Sequence, residues 1–346
     1  MNLTPKMLLA AVAVLCGVVA MLLLIGPSRS GRKVVVYTSV DTEFAVPLFE
    51  KFKKETGIEV VPNFSDEASK TTEMADRLLR LKDNPDGDVF WNSELSFTQV
   101  LAARGVLDKY DSPQAKDIPA EYRDTNGLWT GFGCRCRVLL YNTGLVKKEE
   151  IPHTLEDLAD PRWRGKFTVA KPLYGTTRSH LVSLVVALGE EKAFKLFRAW
   201  RENGLVLAES NSDVRERVAD GRSEIGLTDT DDAYSAIDRH KPVDFFIFDQ
   251  TRDWPGAYLV PNTVSILNKC PHPAEAKAFE DFLLRRDTEA WLADQDARQI
   301  PVRDVTSKLP DRLRGLKTAK VDMQKVSDEV LPMGERIYRI LLGEEK

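Results

Sequence analysis

Histidine and cysteine are scarce in this chain, four of each among 346 residues. His153, His180, His240 and His272 show no ligand spacing, and no CxxC pair or Cys/His cluster of zinc type occurs. Structural zinc and dithiol redox chemistry are therefore excluded. Also missing are a G-x-S-x-G elbow, an H-E-x-x-H helix and a phosphate-binding loop with its lysine. The common hydrolase and nucleotide-hydrolysing machineries go with them, and the chain is not expected to be an enzyme. No block of one charge stands out: 49 basic and 53 acidic residues leave a net charge of −4 with the signs interspersed. Nucleic acid, which selects basic patches, is not an expected partner.

What the sequence does contain is one long apolar run. Met7 to Ile25 carries no charge and follows Lys6. Its length falls between the core of a signal peptide and a full membrane span. The segment after it, Gly26-Pro-Ser-Arg-Ser30, is a poor cleavage site, and Val14-Leu15 before Cys16 does not fit a lipoprotein signal. An uncleaved N-terminal helix is the expectation, with release after signal cleavage as the alternative. Both place the rest of the chain outside the cytoplasm. Cys134 and Cys136 are two residues apart and on a strand would face the same side. Either pairs with Cys270, or all three are buried free thiols.

Beyond residue 31 the pattern alternates. Lys33-Val-Val-Val-Tyr37 reads as a buried strand. Phe44, Leu48, Phe49 and Phe52 recur at helical spacing, and Gly57 is a C-cap candidate. Ile58 to Val61 is the next strand, 68–82 an amphipathic helix, and Asp88-Val-Phe-Trp91 another strand. Phe167 to Ala170, Glu224 to Leu227 and Phe245 to Phe248 extend the series. This is an α/β chain with mainly parallel sheets. Trp91 and Trp254 read as core aromatics, with a cleft-lining place open for Trp91. Ligands of such sheets sit where strands end. The polar loops at those ends hold Thr38, Ser39 and Asp41; Ser93 and Glu94; Gly175, Thr176 and Thr177 at a helix start; and Thr228, Thr230, Asp231 and Asp232. Plain helix capping is the competing reading for Asp41, for Gly175 to Thr177 and for the Asp-rich turn.

Five stretches carry a family resemblance: Val35-Val-Tyr-Thr-Ser39, Asp88 to Trp91, Leu158-Ala-Asp-Pro-Arg-Trp-Arg-Gly-Lys166, Pro271-His-Pro-Ala-Glu-Ala-Lys-Ala-Phe279 and Arg298-Gln-Ile-Pro-Val302. They resemble the periplasmic solute-binding proteins of ABC importers, ferric-iron class. The resemblance implies a two-lobed fold in which each lobe is a mainly parallel sheet flanked by helices. Two crossover strands join the lobes, near Cys134–Tyr141 and Pro261–Leu267. The expected division is an N-terminal segment 1–30, a first lobe of 31–135 plus 268–346, and a second of 136–267. It also implies that the cysteines lie at or beside the hinge. The expected partner is an ABC permease in the cytoplasmic membrane, with the chain itself a monomer.

The tandem tyrosines of that class are replaced here by Asp231-Asp232. In the arrangement that the resemblance implies, Asp41, Glu94, Asp231 and Asp232 converge as candidate metal ligands. Hard cations such as ferric iron suit carboxylate oxygens. The metal is then the transported ligand, and no cofactor is expected. The alternatives are an organic cation, a phosphorylated or phosphonate solute held at the Gly175–Thr177 helix start, a ligand-sensing module, and a carboxylate-dependent hydrolase.

Overall fold

The computed structural model describes residues 31–64, 70–173, 175–248 and 256–345. The Met7–Ile25 run and Trp254 lie outside the described residues. Among the described residues no helix is long and apolar enough to cross a membrane.

The first lobe opens with β1 (Lys33–Thr38), α1 (Thr42–Thr56), β2 (Glu59–Phe64), α2 (Lys70–Arg80), β3 (Val89–Asn92), α3 (Ser96–Ala103) and β4 (Leu107–Asp108). β5 (Thr130–Asn142) then carries the chain across. The second lobe holds β6 (Phe167–Ala170), α4 (Gly175–Leu188), α5 (Glu190–Glu202), β7 (Val206–Ala208), α6 (Asn211–Ala219), β8 (Ile225–Asp229), α7 (Thr230–Asp238) and β9 (Val243–Phe246). β10 (Leu259–Leu267) returns, followed by α8 (Pro273–Leu283), α9 (Arg286–Asp294) and α10 (Met323–Leu342).

The strand order is β2-β1-β3-β10-β5-β8-β6-β7, with β4 on β10 and β9 on β5. Each half has a parallel trio: β1 between β2 and β3, and β6 between β7 and β8. β5 joins them, because its first half runs antiparallel to β10 and its second half antiparallel to β8 and β9. The handover falls between Cys136, opposite Leu259, and Arg137, opposite Asp229.

Apolar spacing explains each lobe's core. Leu48, Phe49 and Phe52 of α1 press on Val34, Val36 and Trp91 of the first sheet, with Phe279 closing the cluster. Trp91 is fully buried among Phe49, Phe132 and Phe279, so it belongs to the core and not to the cleft. α1 ends as its sequence requires: Gly57 takes the left-handed conformation (φ 70°) and its N–H closes on the Lys53 carbonyl. The Leu158–Lys166 motif is a structural staple. Asp160 accepts from the Arg162 amide, Trp163 is buried, and Asn203 donates to the Leu158 and Asp160 carbonyls.

Two pieces depart from the expected lobe division. β10 pairs with β3 and β4, so most of it lies in the first sheet. α10 packs on α4 and α5 of the second lobe and also touches α3 of the first. Val326, Met333 and Ile337 are members of the second lobe's core, and that apolar face explains the placement. Of the two cysteine readings the free thiols hold, with Cys270 half-buried where the other two are buried. Cys134, Cys136 and Cys270 are all free. Cys134 and Cys136 share a face with Val138 and Leu140, as strand alternation demands. Cys134 stands opposite Pro261, and Cys270 follows the far end of β10, roughly 20 Å along the strand. That exceeds the reach of a disulfide.

α10 is seated by one close approach. The buried Arg178 of α4 donates to the Val330, Leu331 and Leu173 carbonyls (2.8, 2.7 and 2.6 Å). Gly334 faces it, and a Cβ there would sit 2.8 Å from Arg178 Cγ and collide with the guanidinium. Gly334→Ala is therefore expected to destabilise the chain by about 1–3 kcal/mol, as overpacking does. A lowered urea midpoint checks it; an unchanged midpoint would mean that Arg178 has a second low-energy position.

Candidate functional site

A cavity of ≈ 100 Å³ lies between the lobes. The first lobe contributes Ser39 and Asp41 from the loop after β1, Phe44 from α1 and Ser93 from the loop after β3. The second contributes Gly175, Thr176 and Thr177 at the start of α4, Asn211 at the start of α6, and Asp229, Asp231 and Asp232 at the junction of β8 and α7. Arg135 enters from β5 itself.

Most of the residues expected from strand-end reasoning meet here, but Thr38, Glu94, Thr228 and Thr230 do not line the cavity. Thr38 is buried and accepts from the Val40 amide (3.1 Å), shaping its own turn. Glu94 is turned inward to the start of α3, where it accepts from the Ser96 and Phe97 amides (both 2.9 Å) and from the Ser96 hydroxyl. It is fully buried, and burial pushes its pKa up. It satisfies amides that a helix start leaves open, and so it is removed from the metal candidates. Thr228 donates to Asp232 (2.7 Å) from behind, and Thr230 accepts from the Cys136 amide (3.1 Å), away from the cleft.

On the first-lobe side a serine clasp forms. Ser39 Oγ donates to Asn92 Oδ1 (2.6 Å), accepts from the Ser93 amide (2.9 Å) and lies 3.0 Å from Ser93 Oγ. On the second-lobe side, Asp229 is the hub. Its carboxylate accepts from Arg137 Nη1 (2.9 Å), Thr176 Oγ1 (2.6 Å) and Asn211 Nδ2 (3.2 Å). One ligand oxygen from each of Asp229, Asp231 and Asp232 can be chosen so that all lie within 4.8 Å of one another.

Three close carboxylates do not ionise alike. Burial pushes Asp229 up, but the Arg137 and Arg135 guanidiniums outweigh it and hold it below the usual range. Asp231 is pushed well up by burial and by its Asp232 and Asp229 neighbours, despite Arg135. Asp232 is pushed up to about 6, by burial first and then by Asp229 and Asp41, with Arg215 opposing. The raised Asp231 and Asp232 carboxyls thus hold on to protons that a bound cation would displace.

Arg135 was not among the sequence candidates, and Asp229 entered only as part of the Thr228–Asp232 turn, not as an acidic ligand. Arg135 is 7% exposed. One guanidinium nitrogen donates to the Ser93 carbonyl of the first lobe. Its Nε lies 3.6 Å from Asp231 and 3.8 Å from Asp229 and has no hydrogen-bond partner. The sequence signal was present: Cys134-Arg-Cys-Arg-Val-Leu-Leu puts two arginines at alternate places of an otherwise apolar strand. Because Cys134 and Cys136 face the core, Arg135 and Arg137 must face the other way.

Two lobes hinged on β5 and β10, with a polar cavity built from strand-end loops of both, define a solute-binding protein. The family model for bacterial extracellular solute-binding proteins matches residues 84–326, and the chain belongs to that family. Its relatives include iron uptake protein A1 of Synechocystis, 29% identical over 283 residues, covering 78% of this chain and 76% of that one. Among solved structures, iron-bound HitA from Pseudomonas aeruginosa superposes with a TM-score of 0.77 at 21% identity, over 88% of this chain and 99% of the other. AfuA from Actinobacillus pleuropneumoniae, with fructose-6-phosphate bound, gives 0.76 at 20% identity, over 91% and 99%.

Proposed function

We propose that this chain is the extracytoplasmic solute-binding component of an ABC importer. Its two lobes close on a hard cation, ferric iron foremost, and present it to a permease in the cytoplasmic membrane. The observation that carries the reading is the Asp229, Asp231, Asp232 cluster, with ligand oxygens within 4.8 Å at the cleft between lobes. Asp41 and the Ser39 and Ser93 hydroxyls line the same cavity from the opposite lobe. All these donors are oxygens, which select hard cations. Ferric iron in excess, added as a weak chelate, is expected to raise the melting temperature of the full chain, and calcium, manganese and fructose-6-phosphate to do so less. A shift with the sugar phosphate and none with iron would retire the cation.

One observation favours a second reading, an anionic solute. Arg135, whose Nε has ion-pair neighbours but no hydrogen-bond partner, lines the same cavity as the start of α4, where backbone N–H groups favour negative charge. Arg135→Met separates the two. It removes a positive charge from the edge of the carboxylate cluster, so a bare cation should bind at least as tightly. A phosphorylated solute should lose about tenfold or more, as when a charge-assisted bond of about 1.5–3 kcal/mol is removed. Calorimetry of the variant with each ligand gives the answer.

A further inference from the structure

A second, smaller cavity of ≈ 20 Å³ lies in the second lobe. Its walls include Arg137, His180, Ser183, Leu227 and Tyr258. Two polar atoms among these residues have no hydrogen-bond partner: Arg137 Nε and His180 Nδ1. Their side chains are not at the surface, since Arg137 is 3% and His180 5% exposed. The other nitrogens of Arg137 are fully used, on Asp229 (2.9 Å), Asn211 (3.2 Å) and the Leu227 carbonyl (3.3 Å) among others. His180 is stacked on Tyr258, ring centroids 5.3 Å apart at 28°, so its ring is held in place. Burial and the Arg137 charge push His180 down to about 3, which keeps the imidazole neutral. A neutral imidazole offers one acceptor nitrogen, and Arg137 Nε offers a donor. Buried polar atoms left without partners are rare, and ordered water is the usual partner where space allows.

We propose that one ordered water occupies this cavity, accepting from Arg137 Nε–H and donating to His180 Nδ1. The volume fits one molecule, for which about 10–15 Å³ is needed. An anion is disfavoured because Asp229 already neutralises Arg137. The water completes the hydrogen bonds of the guanidinium that orients Asp229 and Thr176 in the cleft. His180 is thereby a positioning residue that acts through water and Arg137, with no contact to the solute.

The water itself is tested without any solute. Crystals of the full chain, grown with bromide and diffracting well enough to show ordered solvent, should hold a single non-anomalous peak within hydrogen-bonding distance of both atoms. An empty cavity or a bromide peak there overturns the proposal. The positioning role rests on the cation reading above and is measured separately. His180→Phe preserves the ring and removes the acceptor, and it is expected to weaken ferric iron binding about tenfold. His180→Gln, which keeps an acceptor, should restore most of it. Equal affinity in wild type and His180→Phe overturns the positioning role while leaving the cation reading intact. Loss of iron binding by wild type itself would strike that reading instead.

Discussion

Replacing Asp231 and Asp232 together by asparagine is expected to abolish cation-induced stabilisation while leaving the cation-free chain more stable at neutral pH. The two effects have one cause. Both carboxyls are raised by burial first and by neighbouring carboxylates, Asp229 and Asp41 for both and Asp232 for Asp231 as well, so their charged forms are costly unless a cation is present. Asparagine removes that cost and the donor charge with it. A cation at 100 times its Kd contributes about 2.7 kcal/mol to the native state, and this increment should vanish in the variant. The pH dependence has a definite sign. The folded pKa of Asp232, about 6, lies above its ordinary 3.8. The stability it contributes is therefore complete below 3.8 and is lost as pH rises through 6. The advantage of the variant over wild type should accordingly be small near pH 4 and grow toward pH 7. Cation affinity in wild type runs the other way, falling below pH 6 as protons compete. Melting curves of both chains at pH 4, 5.5 and 7, with and without ferric iron or calcium, contain all four comparisons. Undiminished metal response in the double variant would refute the acidic site.

Glu289→Ala should be the most destabilising single change among those considered, by about 3–5 kcal/mol. Glu289 of α9 is fully buried on its side-chain atoms and pairs with Arg303, itself 3% exposed, at 2.8 Å. The same carboxylate accepts from the Gly133 amide (3.1 Å) and the Val302 amide (2.8 Å). Truncation leaves the buried Arg303 Nε and the Gly133 and Val302 amides without their acceptor. Arg303 keeps only bonds to Asp117 and to the Gln114 and Leu284 carbonyls. The double replacement Glu289→Leu with Arg303→Met should recover much of the loss, because a buried pair replaced by apolar volume is near neutral. Urea midpoints of the single and double variants measure this, and a single variant within 1 kcal/mol of wild type would contradict it.

The parts of the molecule that sequence reasoning reached are those where a local pattern has one physical outcome. Lys33 to Tyr37 could only be a buried strand, and β1 spans Lys33–Thr38. The Gly175–Thr177 start of α4 followed from a polar turn leading into helical spacing. Strand-end logic brought Ser39, Asp41, Ser93, Thr176 and Asp231 to one cavity. It failed at Glu94, because a loop position does not say which way a side chain turns, and the open amides of α3 outcompeted the cleft. Asp229 was read as part of a strand-end turn, while its role as the hub depends on Arg137 and Asn211, 92 and 18 residues away. The lobe assignment of α10 was hidden for the same reason: the core that its apolar face joins and the Arg178 side chain that Gly334 admits come from residues far back in the chain.

β5 belongs to both sheets, and Arg135 stands one residue from the point where it passes from one to the other. Atoms beside a rotation axis travel least when two bodies swing about it. In the lobe closure proposed above, the Arg135 charge beside that crossover therefore moves least, while the serine clasp and the aspartate turn sweep the larger arcs.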